Sequence, residues 1–234
     1  MNQWPLTWIS QESLTSIVRK LFEEGSPKSK GLAYSNLVDP FSALFDMALS
    51  DYNYDQWIKA EIRRQHQKTL QNAIGKFHQC VLGSVDGWED HGVGDVVDLV
   101  CPQRKIFAEI KNKFNTVKAS DKINLYDTLA TWRGAFSEHH DYTGYYVQIL
   151  AKGRFDRPFA PSDNKKKTKP SPNKFIREID GQSFYTLVTG SETALEDLYK
   201  VLPSVIKAVR ADFDDKGTMK DPHFQALFDK AFTV

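Results

Sequence analysis

Two short apolar runs flanking a four-residue polar turn set the strongest constraint on this chain. Val96-Val97-Asp98-Leu99-Val100 is compact and β-branched, Pro102-Gln103-Arg104-Lys105 is a turn, and Ile106-Phe107-Ala108-Glu109-Ile110-Lys111 resumes a strand-like run. The pattern predicts a β-hairpin. Side chains alternate between the faces of a strand, so Glu109 and Lys111 share one face while Ala108 and Ile110 take the other. A hairpin closing symmetrically about Gln103 and Arg104 sets Asp98 opposite Glu109, with Cβ atoms about 4.5–5.5 Å apart. Two carboxylates at that distance repel unless a proton or a cation separates them, and a divalent metal resolves the conflict. Asp95 is an odd number of residues from Asp98 and faces away in an unbroken strand, which favours Asp98. A bulge or an odd-numbered loop reverses that choice and keeps Asp95 as the alternative. A cross-strand ion cluster on an exposed hairpin is the plainer account of the same residues. The aliphatic neighbours of Asp98, which make an unpaired carboxylate costly, weigh against it.

The remaining chain supplies a globular frame. Its 234 residues, 41% hydrophobic and 26% charged, predict one domain over 1–234 with a sizeable core. Residues 1–50 read as a helical region broken at Gly25-Ser26-Pro27 and Asp39-Pro40. Ile58, Ile62, Leu70, Ile74, Phe77 and Val81 recur at mostly helical intervals, predicting one long helix over 54–82 with a potential break at Gly75. A catalytic core over 55–150 then holds the hairpin, a helix over 121–136 capped by Ser120 or Asp121, and a strand over 144–150. Residues 153–174 read as a basic insertion. A strand at 183–188 and helices at 195–209 and 224–232 complete the expected 183–234 region. The fold class predicted is α/β: a small mixed sheet flanked by helices.

No basic cluster followed by an apolar run opens the chain, and no stretch approaches the roughly 20 apolar residues of a membrane span. Cys80 and Cys101 have no paired metal-ligand spacing. A cytoplasmic protein without membrane contact is expected. The net charge of +1 hides an uneven distribution, because residues 164–177 carry Lys165, Lys166, Lys167, Lys169, Lys174 and Arg177 with no acid. Such a run either binds a polyanion or is a solvated loop.

Asp98 followed by Glu109-Ile110-Lys111 resembles the PD-(D/E)XK nuclease motif. A longer string is more specific: His78-Gln79, Leu82-Gly83, Gly87-Trp88, Glu109-Ile110-Lys111-Asn112-Lys113 and Asn115-Thr116. With Ile179-Asp180-Gly181, Phe184-Tyr185 and Val188-Thr189-Gly190, it resembles the type II restriction endonucleases that cut GGNCC or GGWCC, a group that includes AvaII. The resemblance covers roughly residues 55–200. It departs from the motif at one point, since Val97 and Gly94 stand where a proline usually precedes the first aspartate.

The resemblance implies a restriction-endonuclease-like core and Mg²⁺-dependent hydrolysis of double-stranded DNA, leaving 5′-phosphate ends. Asp98, Glu109 and the Ile110 carbonyl would hold the metal, and Lys111 would orient or help deprotonate the attacking water. Glu61 is the candidate for a further acid from the long helix, and Gln79 for lining the site. His78 is open between DNA contact and packing. Candidate DNA contacts are Lys113, Asn115, Thr116, Lys118 and Lys122 after the motif, with Arg154, Arg157, Lys165, Lys166, Lys167, Lys169 and Lys174 around the insertion. A homodimer matching a palindrome is expected, with a cognate methyltransferase acting on the same site. A repair or junction-resolving nuclease of the same fold and a non-catalytic DNA-binding protein are the alternatives.

Overall fold

Leu99, Val100 and Cys101 pair antiparallel with Ala108, Phe107 and Ile106, the register expected from symmetric closure. The turn between them closes with Lys105 in the left-handed region (φ 54°), its N–H on the Pro102 carbonyl at 3.2 Å. These coordinates come from a computed structural model that describes residues 4–25, 38–92, 96–115, 117–135, 137–161, 173–210 and 222–232.

In chain order the elements are α1 (Gln11–Gly25), α2 (Pro40–Ser50), α3 (Tyr54–Gly83), β1 (Glu89–Asp90), β2 (Leu99–Cys101) and β3 (Ile106–Lys113). There follow α4 (Ala119–Ala135), a 3-10 turn at Ser137–His139, β4 (Thr143–Leu150), β5 (Asp156–Pro158), β6 (Ile176–Asp180), α5 (Gly181–Thr189), α6 (Ala194–Val209) and α7 (Pro222–Phe232). The chain divides into two compact units, residues 1–18 with 77–234 and residues 19–76. No helix among the described residues is long and apolar enough to cross a membrane.

The larger unit is built on a six-stranded mixed sheet in the order β1-β2-β3-β4-β6-β5. β3, β4 and β6 run parallel, and β1, β2 and β5 are antiparallel to their neighbours. Parallel β3 and β4 need a crossover, which α4 provides. It packs Leu129 and Trp132 against the face carrying Phe107, Tyr146 and Ile176, with the Phe107 and Trp132 rings 4.2 Å apart. Gly144 is where that packing forbids a side chain, because a Cβ there would stand 2.4 Å from the Phe107 ring. The opposite face receives α5, whose Phe184 meets Tyr145 and Trp88. Helices thus cover both faces, as the α/β expectation requires.

Several boundaries differ from expectation. Residues 183–188 form the middle of helix α5, not a strand. Asp180 caps it by accepting from Ser183 N at 3.0 Å, Gly190 ends it at φ 77°, and the buried Phe184, Tyr185 and Val188 fall on one helical face. The strand lies just before, as β6, and the 153–174 stretch contributes edge strand β5 rather than loop throughout. β2 begins at Leu99, so Val96 is outside the ladder and half exposed. α4 starts at Ala119, which puts Ser120 and Asp121 inside its first turn rather than at the cap. α3 passes Gly75 unbroken. The short β1 was not anticipated in its glycine- and acid-rich surroundings.

Candidate active site

On β3 the face that is apolar at Phe107 turns polar at Glu109 and Lys111, as strand alternation dictates. The Lys111 ammonium lies 2.5 Å from Glu109 Oε1, with the two side chains 36% and 16% exposed. Asp98 stands one residue before β2, beside this pair. Its N–H reaches the Ala108 carbonyl at 3.0 Å, and its Oδ2 accepts from Ile110 N at 2.6 Å. The carboxylate therefore takes the place a backbone carbonyl would hold had the ladder continued. In a strand the N–H and C=O of one residue point to the same edge, so the Ile110 carbonyl also faces Asp98.

The electrostatics carry the conflict foreseen from the hairpin. Burial pushes the Asp98 pKa up to about 6, and the neighbouring Glu109 carboxylate pushes the same way. The Ile110 N–H and the Lys111 charge oppose this without overcoming it, and Asp90 adds further repulsion. Asp90 itself is a neighbour that local sequence did not reveal. β1 aligns it with Leu99, and Gln79 holds it through Nε2 to Oδ1 at 2.8 Å while the same amide nitrogen lies 3.4 Å from the Asp98 carbonyl. Gln79 is buried, so it braces the backbone on which Asp98 sits. Asp95 lies outside the described residues.

Register extends the polar face across the sheet. Glu109 pairs with Tyr146 and Tyr146 with Glu178, while Lys111 pairs with Gln148 and Gln148 with Asp180. Glu178 is neutralised by Arg157 at 2.7 Å and approached by Gln148 Nε2 at 3.3 Å. The Tyr146 hydroxyl is buried without a hydrogen-bond partner among the described residues, and burial beside Glu178 pushes its pKa up to about 12. Strand alternation sets Tyr146 and Gln148 on one face, and only the pairing with β3 makes Glu109 a neighbour. Among the described residues, no three His, Cys, Asp or Glu side chains converge as metal ligands.

The other candidate residues have varied fates. Glu61 belongs to the smaller unit, where its oxygens accept from Arg64 at 2.6 Å and Gln65 at 2.7 Å, and Arg64 holds its pKa down. His78 is half-buried, its Nδ1 2.8 Å from the Tyr185 hydroxyl, and burial lowers its pKa to about 4. Asn115, Lys118, Arg154, Arg157 and Lys174 are exposed, and Lys113 and Lys122 are half-buried. Lys174 sits over the Phe175 ring, and Arg157 over that of Phe155. Thr116, Lys165, Lys166, Lys167 and Lys169 lie outside the described residues. The Ile179-Asp180-Gly181 string is a structural junction. Asp180 Oδ2 accepts from Phe155 N at 2.7 Å while Oδ1 caps α5, and a Cβ at Gly181 would meet the Ile149 carbonyl oxygen at 2.4 Å.

Comparison with known proteins places the chain in a family. The profile of the Eco47II restriction endonuclease family matches residues 6–210. The type II restriction enzyme Eco47II of Escherichia coli is 40% identical over 215 residues, spanning 88% of this chain and 89% of that protein. The type II restriction enzyme Sau96I of Staphylococcus aureus is 30% identical over 207 residues, 85% of this chain and 78% of its own length. With matches that run through the hairpin, the sheet and α5, the chain belongs to the Eco47II restriction endonuclease family, and is by that membership a type II restriction endonuclease.

Proposed function

We propose that this enzyme is a Mg²⁺-dependent nuclease of the PD-(D/E)XK type that hydrolyses both strands of duplex DNA at a GGWCC or GGNCC palindrome and leaves 5′-phosphate ends. The observation that carries the reading is the pair Asp98 and Glu109, two carboxylates set against each other with Lys111 alongside. Their donor set fits magnesium, which prefers oxygen ligands and is commonly held by one or two carboxylates together with waters and substrate phosphate, rather than by an all-protein cage. Asp98, Glu109 and the Ile110 carbonyl would hold it. When bound, the ion supplies polarisation of the scissile phosphate and acidification of a water.

The chain's own residues supply placement. An ammonium has three donors, and Glu109 takes one from Lys111, leaving the others to orient the attacking water and to steady charge developing on the phosphate. The Ile110 N–H fixes the Asp98 carboxylate, and buried Gln79 braces the segment behind it. A two-fold homodimer would bring one such site to each strand of a palindrome. Lys113, Lys118 and Lys122 would contact phosphates after the motif, and Arg154, Arg157 and the basic 165–174 stretch would reach the bases.

The test is digestion of one plasmid with Mg²⁺ and sequencing of the fragment ends. Discrete fragments ending in ligatable 5′-phosphates at one palindrome are expected. Structure-dependent nicking without a sequence preference would instead favour a repair or junction-resolving enzyme.

A further inference from the structure

We infer that the outward apolar stripe of α2 is the surface through which two copies of this chain associate. Duplex cleavage by a two-fold enzyme, proposed above, is what makes a second copy the partner sought; the surface itself follows from the helix.

α2 is firmly delimited. Asp39 caps its start by accepting from Phe41 N at 3.0 Å and from the Ser42 hydroxyl at 2.7 Å, Pro40 occupies the first turn, and Asp51 ends it in the left-handed region. Its inward side is polar. Asp46 accepts from Trp57 Nε1 at 3.2 Å, and Ser42, Ala43 and Asp46 border a cavity of about 910 Å³ shared with α3. Its outward side is apolar: Phe41, Leu44, Phe45 and Leu49 are 71%, 62%, 66% and 88% exposed, and no residue described in the helix is buried. This inverts the usual arrangement, in which the apolar stripe faces the protein's own core. An 11-residue helix is also shorter than the roughly 12–15 residues needed for stability in water without packing.

The area fits a dimer contact. At roughly 200 Å² per large apolar side chain, the four residues leave roughly 500–600 Å² bare. That is the upper end of the largest patch on an ordinary monomer. Half-exposed Tyr52 and Tyr54 flank it and bring the surface toward the ~800 Å² per partner of a standard interface. A second copy matches the chemistry because the stripe is apolar along its length and complements itself. About a two-fold axis near Leu44 and Phe45, α2 meets α2 antiparallel, Phe41 lies over the partner's Leu49, and the helix dipoles oppose.

Sedimentation velocity of the full chain at low micromolar concentration tests this, with far-UV circular dichroism confirming that variants fold. The wild type is expected as a dimer. Leu44→Asp should weaken association at least about a hundredfold through like charges across the axis. Mixing Leu44→Asp with Leu44→Lys should restore it, which only a contact of α2 with α2 predicts. A monomeric wild type, an unchanged dimer constant in Leu44→Asp, or no rescue on mixing would overturn the inference, whether α2 is then covered by another partner or by another part of this chain. Mg²⁺-dependent cleavage by the wild type is read separately. Its absence defeats the nuclease reading and leaves the sedimentation result standing.

Discussion

The two ends of one polar sheet face are treated in opposite ways. At the β5–β6 end the acids are answered: Glu178 by Arg157 at 2.7 Å, and Asp180 by the N–H groups of Phe155 and Ser183. At the β2–β3 end Asp98 and Glu109 share Lys111, the nearby Asp90 adds repulsion, and Asp98 is left with a pKa of about 6. A fold seeking only stability would have balanced both ends. The imbalance at one end is what a cation-binding site requires before its ligand arrives.

Emptying the unbalanced end should have the largest consequence. Glu109→Ala and Lys111→Ala are each expected to lower cleavage by about a thousandfold or more while site-specific DNA binding persists, since on the proposed reading Glu109 would hold the metal and Lys111 would steady the reacting groups, both transition-state contacts. Gel shifts in Ca²⁺ beside Mg²⁺ cleavage rates check this, and near-wild-type rates in either variant would remove the hairpin from the chemistry.

The next effect is thermodynamic. Asp98 has its folded pKa above the ordinary value of 3.8, so between about 4 and about 6 the folded state binds more proton than the unfolded one. The contribution of Asp98 to stability should therefore be greatest below that window and fall by about 2–3 kcal/mol as pH rises through it, in the absence of divalent ions. Asp98→Asn should flatten this slope and melt higher than the wild type near pH 8. Mg²⁺ should raise the wild-type melting temperature and not that of Asp98→Asn; equal slopes in the two proteins would show that Asp98 carries no conflict.

How much of this was legible in sequence follows the range of the interactions involved. The hairpin register and the sharing of a face by Glu109 and Lys111 could be read because a four-residue polar turn and strand parity fix them locally. The long α3 could be read from its periodicity. Phe184 to Val188 misled because aromatic and β-branched residues favour strands, whereas the Asp180 cap and the burial of Phe184, Tyr185 and Val188 decide for a helix. β6 was hidden because the adjacent Arg177 and Glu178 break the period-2 alternation of its apolar residues, after a basic run. Asp90 and Tyr146 came next to the hairpin, and Glu178 one strand beyond, only through strand pairing, which is non-local.

A smaller effect belongs to the balanced end. Glu178→Gln should cost about 1 kcal/mol, because Arg157 is 63% exposed and can return to water. Cleavage should stay within about threefold of wild type. Two strand spacings, roughly 10 Å, separate Glu178 from Glu109, too far for a shared ion. Chemical denaturation and a cleavage time course measure both. A loss of activity beyond tenfold would extend the reacting region across the sheet.

Tyr146 sits between the two ends and should show the smallest effect. Its ring is fully buried, 5.0 Å from that of Phe159, and its hydroxyl has no partner among the described residues. An unmade buried hydrogen bond stabilises nothing, so Tyr146→Phe should keep the packing and leave stability unchanged or raised by up to about 1 kcal/mol. If the hydroxyl instead reached Glu178 through a bound water, the same change would cost about 1 kcal/mol and alter the pH dependence near that carboxylate. If it served Glu109, cleavage would fall while stability held. Denaturation midpoints and cleavage rates, read together on this one variant, therefore locate the boundary between the balanced and unbalanced ends to a single strand.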